Sequence, residues 1–309
     1  MKKIILAPNE TIALDKLKYP MYASPKYDGH RLIIMNGKMF SRNGKPQPNK
    51  ELPIYLSSLL KWSLEEKLVI DGELYVHKMP FNELQSMLRK EDSKLNNKLQ
   101  YYIFDILTTE EWENNTEPKF DERYKRYLKL VKTKKSFNGV VFPVPQVLVL
   151  SPKEASDFFN KSLKDDYEGM MLRNPVGFYK HGRCTIREQN LLKFKEWVTV
   201  DAVITGFTAK QKMKQDVKYG PRTRDIFGSL KRSGKQADFE EVEEIGSAEV
   251  ELPDGLQTNV NFAKEFGRLI SWDNKEEFIG KHVEIKYMKV GTKDKPRFGL
   301  ITRMRPELD

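Results

Sequence analysis

A lysine amine is a nucleophile only when neutral, and a lysine heads the chain's most suggestive stretch. Residues 24–44 read S-P-K-Y-D-G-H-R-L-I-I-M-N-G-K-M-F-S-R-N-G. Lys26 precedes a Tyr27-Asp28-Gly29 turn, with Arg31 and Arg42 downstream. An amine with an ordinary pKa of ~10.4 needs nearby cations or partial desolvation to become reactive. Lys193 and Lys195 alternate with apolar Leu192 and Phe194, so both project from one face of a strand. That face suits either an anion site or plain solvent. Glu73 lies within the β-rich run L-V-I-D-G-E-L-Y-V at 68–76. A carboxylate in a buried strand needs a partner or a ligand, whereas an edge strand tolerates it.

The elements that position these groups follow from local pattern. Asn36-Gly37 between residues 32–35 and 38–41 predicts a type I′ hairpin. Residues 45–53 hold three prolines and read as a loop. Helical segments are expected at 56–62, 81–90 and 120–131, and strands at 68–76, 99–107, 140–150, 167–173 and 190–195. Ser151-Pro152-Lys153-Glu154 is a capping box with proline at the first helical position, so a helix starts there. Strands and helices mix without a βαβ rhythm, which predicts an α+β fold. Beyond Trp197 the texture changes to short strands at 200–207, 226–231, 246–252, 282–290 and 298–304, with one helix at 262–271. That pattern suits a five-stranded barrel such as an OB-fold. A boundary near 196–199 gives domains 1–197 and 198–309.

Composition narrows the partner. The 309 residues carry 54 Lys and Arg against 44 Asp and Glu, a formal net charge of +10. Two domains and an acidic partner, nucleic acid foremost, are expected. One cysteine, Cys184, precludes an intrachain disulfide, and four His with one Cys argue against structural zinc. The apolar start is shorter than a signal peptide needs, and no apolar run approaches a membrane span, so a cytoplasmic protein is expected.

Five further motifs follow K-x-D-G in order: Phe40-Ser41-Arg42-Asn43-Gly44, Asp71-Gly72-Glu73-Leu74, Phe104-Asp105, Glu168-Gly169-Met170-Met171 and Lys193-Phe194-Lys195. The set resembles the covalent nucleotidyltransferase superfamily of ATP-dependent DNA ligases, RNA ligases and mRNA capping enzymes. The resemblance extends from Lys26 to about Arg305. It implies a nucleotidyltransferase (adenylation) domain of mixed and antiparallel sheets followed by an OB-fold.

The resemblance also implies the chemistry. Lys26 would attack the α-phosphate of ATP or GTP, giving a lysyl–NMP and pyrophosphate. Lys193 and Lys195 would stabilise charge at that phosphate, and Arg31 and Arg42 would read phosphates of the nucleotide or of a nick. Phe104 would stack on the purine and Glu73 would meet the ribose. Glu168, with Glu73, would hold a divalent metal, Mg²⁺ or Mn²⁺. Arg173 would contact nucleic acid.

Phe227-Gly228-Ser229-Leu230 and the Pro296-Arg297-Phe298 run resemble the DNA-ligase branch, and the compact size resembles its small, phage-type members. The arginine expected two residues before Pro296 is Asp294, which leaves Lys293, Lys295, Arg297 and Arg303 as candidates to orient pyrophosphate. The leading expectation is a monomeric ATP-dependent DNA ligase that seals 5′-phosphate/3′-hydroxyl nicks in duplex DNA, as replication, repair and recombination require. An RNA ligase, a GTP-using capping enzyme and a non-catalytic nucleic-acid-binding protein are the alternatives. Lys210, Lys212, Lys214 and Lys218 belong to a basic run at 210–224, read as a loop that meets DNA phosphates or only solvent.

Overall fold

The computed structural model describes residues 2–133, 137, 139–214, 239–263, 266–288 and 297–306. The expected strand at 226–231, the segment 227–230, and Lys218, Lys293, Asp294 and Lys295 lie outside those residues. The chain divides into two compact units, one formed by Met1–Lys195 and one that begins at Glu196.

The first unit contains β1 (Met21–Pro25), β2 (His30–Met35), β3 (Lys38–Ser41), α1 (Leu52–Tyr55), α2 (Ser57–Glu65), β4 (Leu68–Tyr75) and α3 (Phe81–Arg89). It continues with β5 (Gln100–Thr108), α4 (Thr109–Asn114), α5 (Phe120–Thr133), β6 (Val141–Pro143), β7 (Val147–Val149), α6 (Pro152–Lys164), β8 (Gly169–Arg173) and β9 (Leu191–Lys195). The expected hairpin forms: Asn36 and Gly37 have φ of 51° and 69°, and Met35 faces Lys38 across the turn. Helix α6 starts as its cap dictates, with Ser151 Oγ accepting from Glu154 N at 3.2 Å and proline at the first helical position.

Two sheets result, ordered β3-β2-β4-β5-β6 and β7-β1-β8-β9. The expected single strand at 140–150 is two: β6 runs parallel to β5 in the first sheet and β7 antiparallel to β1 in the second. Proline lacks the N–H that a ladder needs, so Pro143 and Pro145 end one pairing and let the chain change sheets. Strand alternation separates two cores. Leu32, Ile34, Ile70 and Ile106 pack beneath Trp62, Leu84 and Tyr127 from the helices. Ile33, Val69 and Leu107 point the other way, against Ile4, Ile5, Trp112 and Leu191 of β9. Each such buried aliphatic stabilises by roughly 1.5–3 kcal/mol, and Leu191 fixes the second sheet against the first.

The second unit is a closed barrel ordered β10-β11-β12-β14-β13, from β10 (Val198–Met213), β11 (Phe239–Glu251), β12 (Gln257–Phe262), β13 (His282–Met288) and β14 (Arg297–Met304). Its core includes Ile204, Val250, Val260, Val283, Ile285 and Ile301. Two expectations change here. β10 continues to Met213 and pairs with β11 as far as Phe239, so Lys210 and Lys212 stand on a strand rather than a loop. Among the described residues of the expected helix at 262–271 there is a 3₁₀ turn at Phe266–Arg268, and Phe262 closes β12. Thr258, Val260 and Phe262 alternate with exposed polar residues at period 2, and Gly267 would cost a helix about 1 kcal/mol.

Candidate functional site

Three adjacent strands assemble the reactive groups. β1 ends at Pro25, opposite Met170 of β8, and Gly169 lies opposite Lys195 of β9. Lys26 therefore leaves the sheet beside Glu168, with Lys195 on the far side. The backbones fix this arrangement: Lys26 N donates to Gly169 O at 2.9 Å, and Glu168 N donates to Lys26 O at 3.0 Å. Only glycine serves at 169, where φ is 144° and a Cβ would stand 2.2 Å from Phe194 O.

Glu168 is the hub. Its Oε2 is ion-paired with Lys26 Nζ, and its Oε1 lies 2.6 Å from Lys195 Nζ. Burial alone would raise this carboxyl, but the two ammonium groups outweigh it and hold the carboxyl below its usual range. Tyr27 anchors the Lys26 turn from behind. Its ring is buried against Tyr102 at 4.4 Å, Tyr75 at 5.0 Å and Tyr167 at 5.4 Å between centroids.

Lys26 opens onto a pocket lined by six cationic side chains, Arg31, Arg42, Arg173, Arg183 and Lys193 being the others, and by one carboxylate, Glu73. Burial lowers the Lys193 amine to about 8, helped by Lys195, Arg183, Lys26 and Arg42. Burial, then Arg31 and Arg183, also lower the Arg42 guanidinium. Like charges crowded into one pocket are relieved by an anion. Burial raises Glu73 to about 7, with Arg31 and Lys26 only partly opposing.

Phe104 reaches the pocket through a bulge. Gly72 pairs with Ile103 and Asp71 with Asp105, so Phe104 is an extra residue re-aimed toward the pocket. Arg31 lies over its ring at 4.9 Å. Arg31 is itself committed to buried Asp71, through Nε to Oδ1 at 2.5 Å and Nη2 to Oδ2 at 2.6 Å.

Arg173 has a buried carboxylate partner. It is 5% exposed, bonded to Asp105 Oδ2 at 2.6 Å and stacked 4.5 Å over Phe120. Asp105 also holds Arg123 at 2.9 and 2.8 Å. Asp71 and Asp105 face each other on neighbouring strands, both fully buried, and two such carboxylates demand cations. Arg31, Arg123 and Arg173 meet that demand. Sequence reasoning missed Arg183, which the bridge between Leu6 and Arg183 carries to the pocket and whose Nη1 donates to Ala7 O at 2.6 Å. Nothing in His181-Gly182-Arg183-Cys184 signals this role.

Among the described residues, no group of three or more His, Cys, Asp or Glu could hold a metal unaided. A divalent cation would find two carboxylates close enough to influence one another, Glu168 and Glu73, and would complete its shell with phosphates and water. In the barrel, Lys210 and Lys212 both pair with Glu244, Lys210 at 2.6 Å. Lys214 is exposed. Arg303 pairs with Glu284 at 2.7 Å, and Arg297 lies 5.0 Å over Phe298. No helix among the described residues is long and apolar enough to cross a membrane.

A family model described as the ATP dependent DNA ligase domain matches residues 6–195. The chain belongs to that family. A DNA ligase of African swine fever virus is 24% identical over 152 residues, 49% of this chain and 34% of that protein. The match thus spans about a third of the viral relative's length. The structure titled Chlorella virus DNA ligase-adenylate is 27% identical, with a TM-score of 0.54 over 100% of this chain and 99% of that one. A Lig E DNA ligase structure has a TM-score of 0.70 at 20% identity, covering 99% of this chain and 100% of that one. This last likeness is one of fold, the ligase adenylation domain followed by an OB-fold.

Proposed function

We propose that this ligase-family chain seals 5′-phosphate/3′-hydroxyl nicks in duplex DNA, as a monomer, through a lysyl-AMP intermediate on Lys26. One observation carries the reading: Lys26 is joined to Glu168 at the mouth of a pocket walled by Arg42, Arg183 and Lys193. Lys26 Nζ must lose a proton before it attacks the α-phosphate of ATP, and Glu168 Oε2 already accepts a hydrogen bond from it. The N–P bond forms as the bond to pyrophosphate breaks, and pyrophosphate departs with the electron pair. Lys193 and Arg42 face the charge that develops. A divalent cation held by Glu168 and Glu73 supplies further charge neutralisation when bound. A 5′-phosphate oxygen then attacks the adenylyl phosphorus as the N–P bond breaks and Lys26 recovers its proton. The 3′-oxygen next bonds to that 5′-phosphate as AMP leaves with the electron pair, and the hydroxyl proton passes to solvent.

The test uses α-labelled ATP and α-labelled GTP with Mg²⁺, followed by nicked DNA or nicked RNA. Label from ATP should become covalently bound to the protein and then pass to nicked DNA. Attachment of GTP instead, or discharge only onto RNA, would replace this reading with a capping enzyme or an RNA ligase.

A further inference from the structure

We infer that Tyr179 is a positioning residue for adenylyl transfer: its hydroxyl, acting through Asp71, holds the Arg31 guanidinium against Phe104 in the nucleotide pocket. The inference rests on the ligase reading above. Tyr179 Oη donates to Asp71 Oδ2 at 2.5 Å, and the same oxygen accepts Arg31 Nη2 at 2.6 Å. Asp71 Oδ1 accepts Arg31 Nε at 2.5 Å. The carboxylate is fully buried, so water cannot replace a lost donor there. With both ends of Oδ2 engaged, the carboxylate plane cannot turn without breaking all three bonds, and Arg31 is held in one orientation.

That orientation matters at the pocket. Arg31 and Phe104 both line it, with the guanidinium 4.9 Å from the ring centroid. Phe104 is the bulged residue and lacks a ladder partner to fix its plane. Arg31 limits that plane together with Tyr27, whose ring centroid is 6.4 Å away, and Tyr179 constrains Arg31. Burial, then the Asp71 charge, push the phenol far above its ordinary range, so the hydroxyl remains a donor. Tyr179 lies on the connection from β8 to β9, which also delivers Arg183 to the pocket.

The hydroxyl can be removed without disturbing the rest of the residue. The ring packs on Trp112 at 5.5 Å and His181 at 5.7 Å, and the backbone N–H donates to Glu117 Oε1 at 2.9 Å. Tyr179→Phe keeps all three contacts.

The experiment measures single-turnover self-adenylylation with labelled ATP and Mg²⁺, well below the melting temperature, for wild type, Tyr179→Phe, Arg31→Lys and the double variant. Thermal melts are run on all four. We expect Tyr179→Phe to slow adenylyl transfer about tenfold, with a melting temperature within a few degrees of wild type. In the Arg31→Lys background the same change should slow it less than twofold, because the group it orients is gone. An unchanged Tyr179→Phe rate, or equal slowing in both backgrounds, would overturn the positioning role. If wild type takes no label, the ligase reading fails and this inference fails with it.

Discussion

Lys26 and Glu168 are joined twice, by a side-chain ion pair and by a 3.0 Å hydrogen bond from Glu168 N to Lys26 O. The second bond fixes where the first can form, because it involves only backbone. The backbones of Lys26 and Glu168 therefore keep their spacing even if either side chain is altered.

Lys26→Ala should lower covalent ATP labelling at least about 10³-fold, since no other amine stands at that point of the pocket. Binding to nicked DNA should persist through the rest of the basic chain. Label that survives denaturing electrophoresis at wild-type levels in the variant would remove Lys26 from its role.

Glu168→Gln preserves shape and removes the charge that Lys26 and Lys195 share. Because those cations hold the carboxyl below its usual range, its stabilisation is present above the unfolded value of 4.5 and fades as pH falls through the folded value. The variant's deficit in melting temperature should be larger at pH 7 than at pH 3.5. Labelling should fall at both low and high Mg²⁺, and a variant as active as wild type would exclude Glu168 from the site.

Glu73 behaves oppositely. Its folded value of about 7 exceeds the unfolded 4.5, so the folded chain binds the proton more tightly. Its contribution is complete below pH 4.5 and declines as pH rises through 7. Glu73→Gln should match wild type in melts near pH 4.5 and exceed it near pH 8. A constant difference across that range would show that Glu73 titrates normally.

Lys193 gives an alkaline limb. With its amine at about 8, ATP binding above that pH requires proton uptake. Affinity should fall by up to about tenfold per pH unit between 8 and 10. Lys193→Arg keeps the charge and should flatten the limb in calorimetric titrations at several pH values. The same depression disfavours the charged form in the folded state, so wild-type stability should rise with pH over this interval.

Lys210 and Lys212 are already paired with Glu244, which reduces what they can offer a phosphate. Glu244→Gln should steepen the dependence of nicked-DNA affinity on salt, and Lys210→Ala with Lys212→Ala should flatten it by up to about 0.9 per lost contact. Self-adenylylation, which uses no DNA, should stay constant. Unaltered slopes in both variants would mean that this part of β10 does not meet DNA.

Local pattern carried the groups whose spacing is itself the signal. Lys193 and Lys195 alternate on a strand, Asn36-Gly37 names its turn, and Ser151-Pro152 starts a helix. What pattern could not show were partners distant in sequence. Asp71 reads as one acid in an apolar run until β2 brings Arg31 beside it. Arg173 has no visible partner in the sequence until the fold brings Asp105, 68 residues earlier, beside it. Thr258, Val260 and Phe262 carry a period-2 signal that marks β12, which the expected helix from 262 onward overlooks.

The β1 register also bears on how the molecule is made. Lys26 and Glu168 are 142 residues apart, and both sheet neighbours of β1 lie downstream. At about 5–20 residues per second, a ribosome needs roughly 7–30 s to pass from one to the other. Until β7 is made at Val147–Val149 the nascent β1 has no strand to pair with, and β8 follows only after Glu168, so apolar Met21 and Ala23, buried in the finished fold, wait for their cover. Lys26 is therefore synthesised well before its surroundings, which are completed only when translation reaches Lys195.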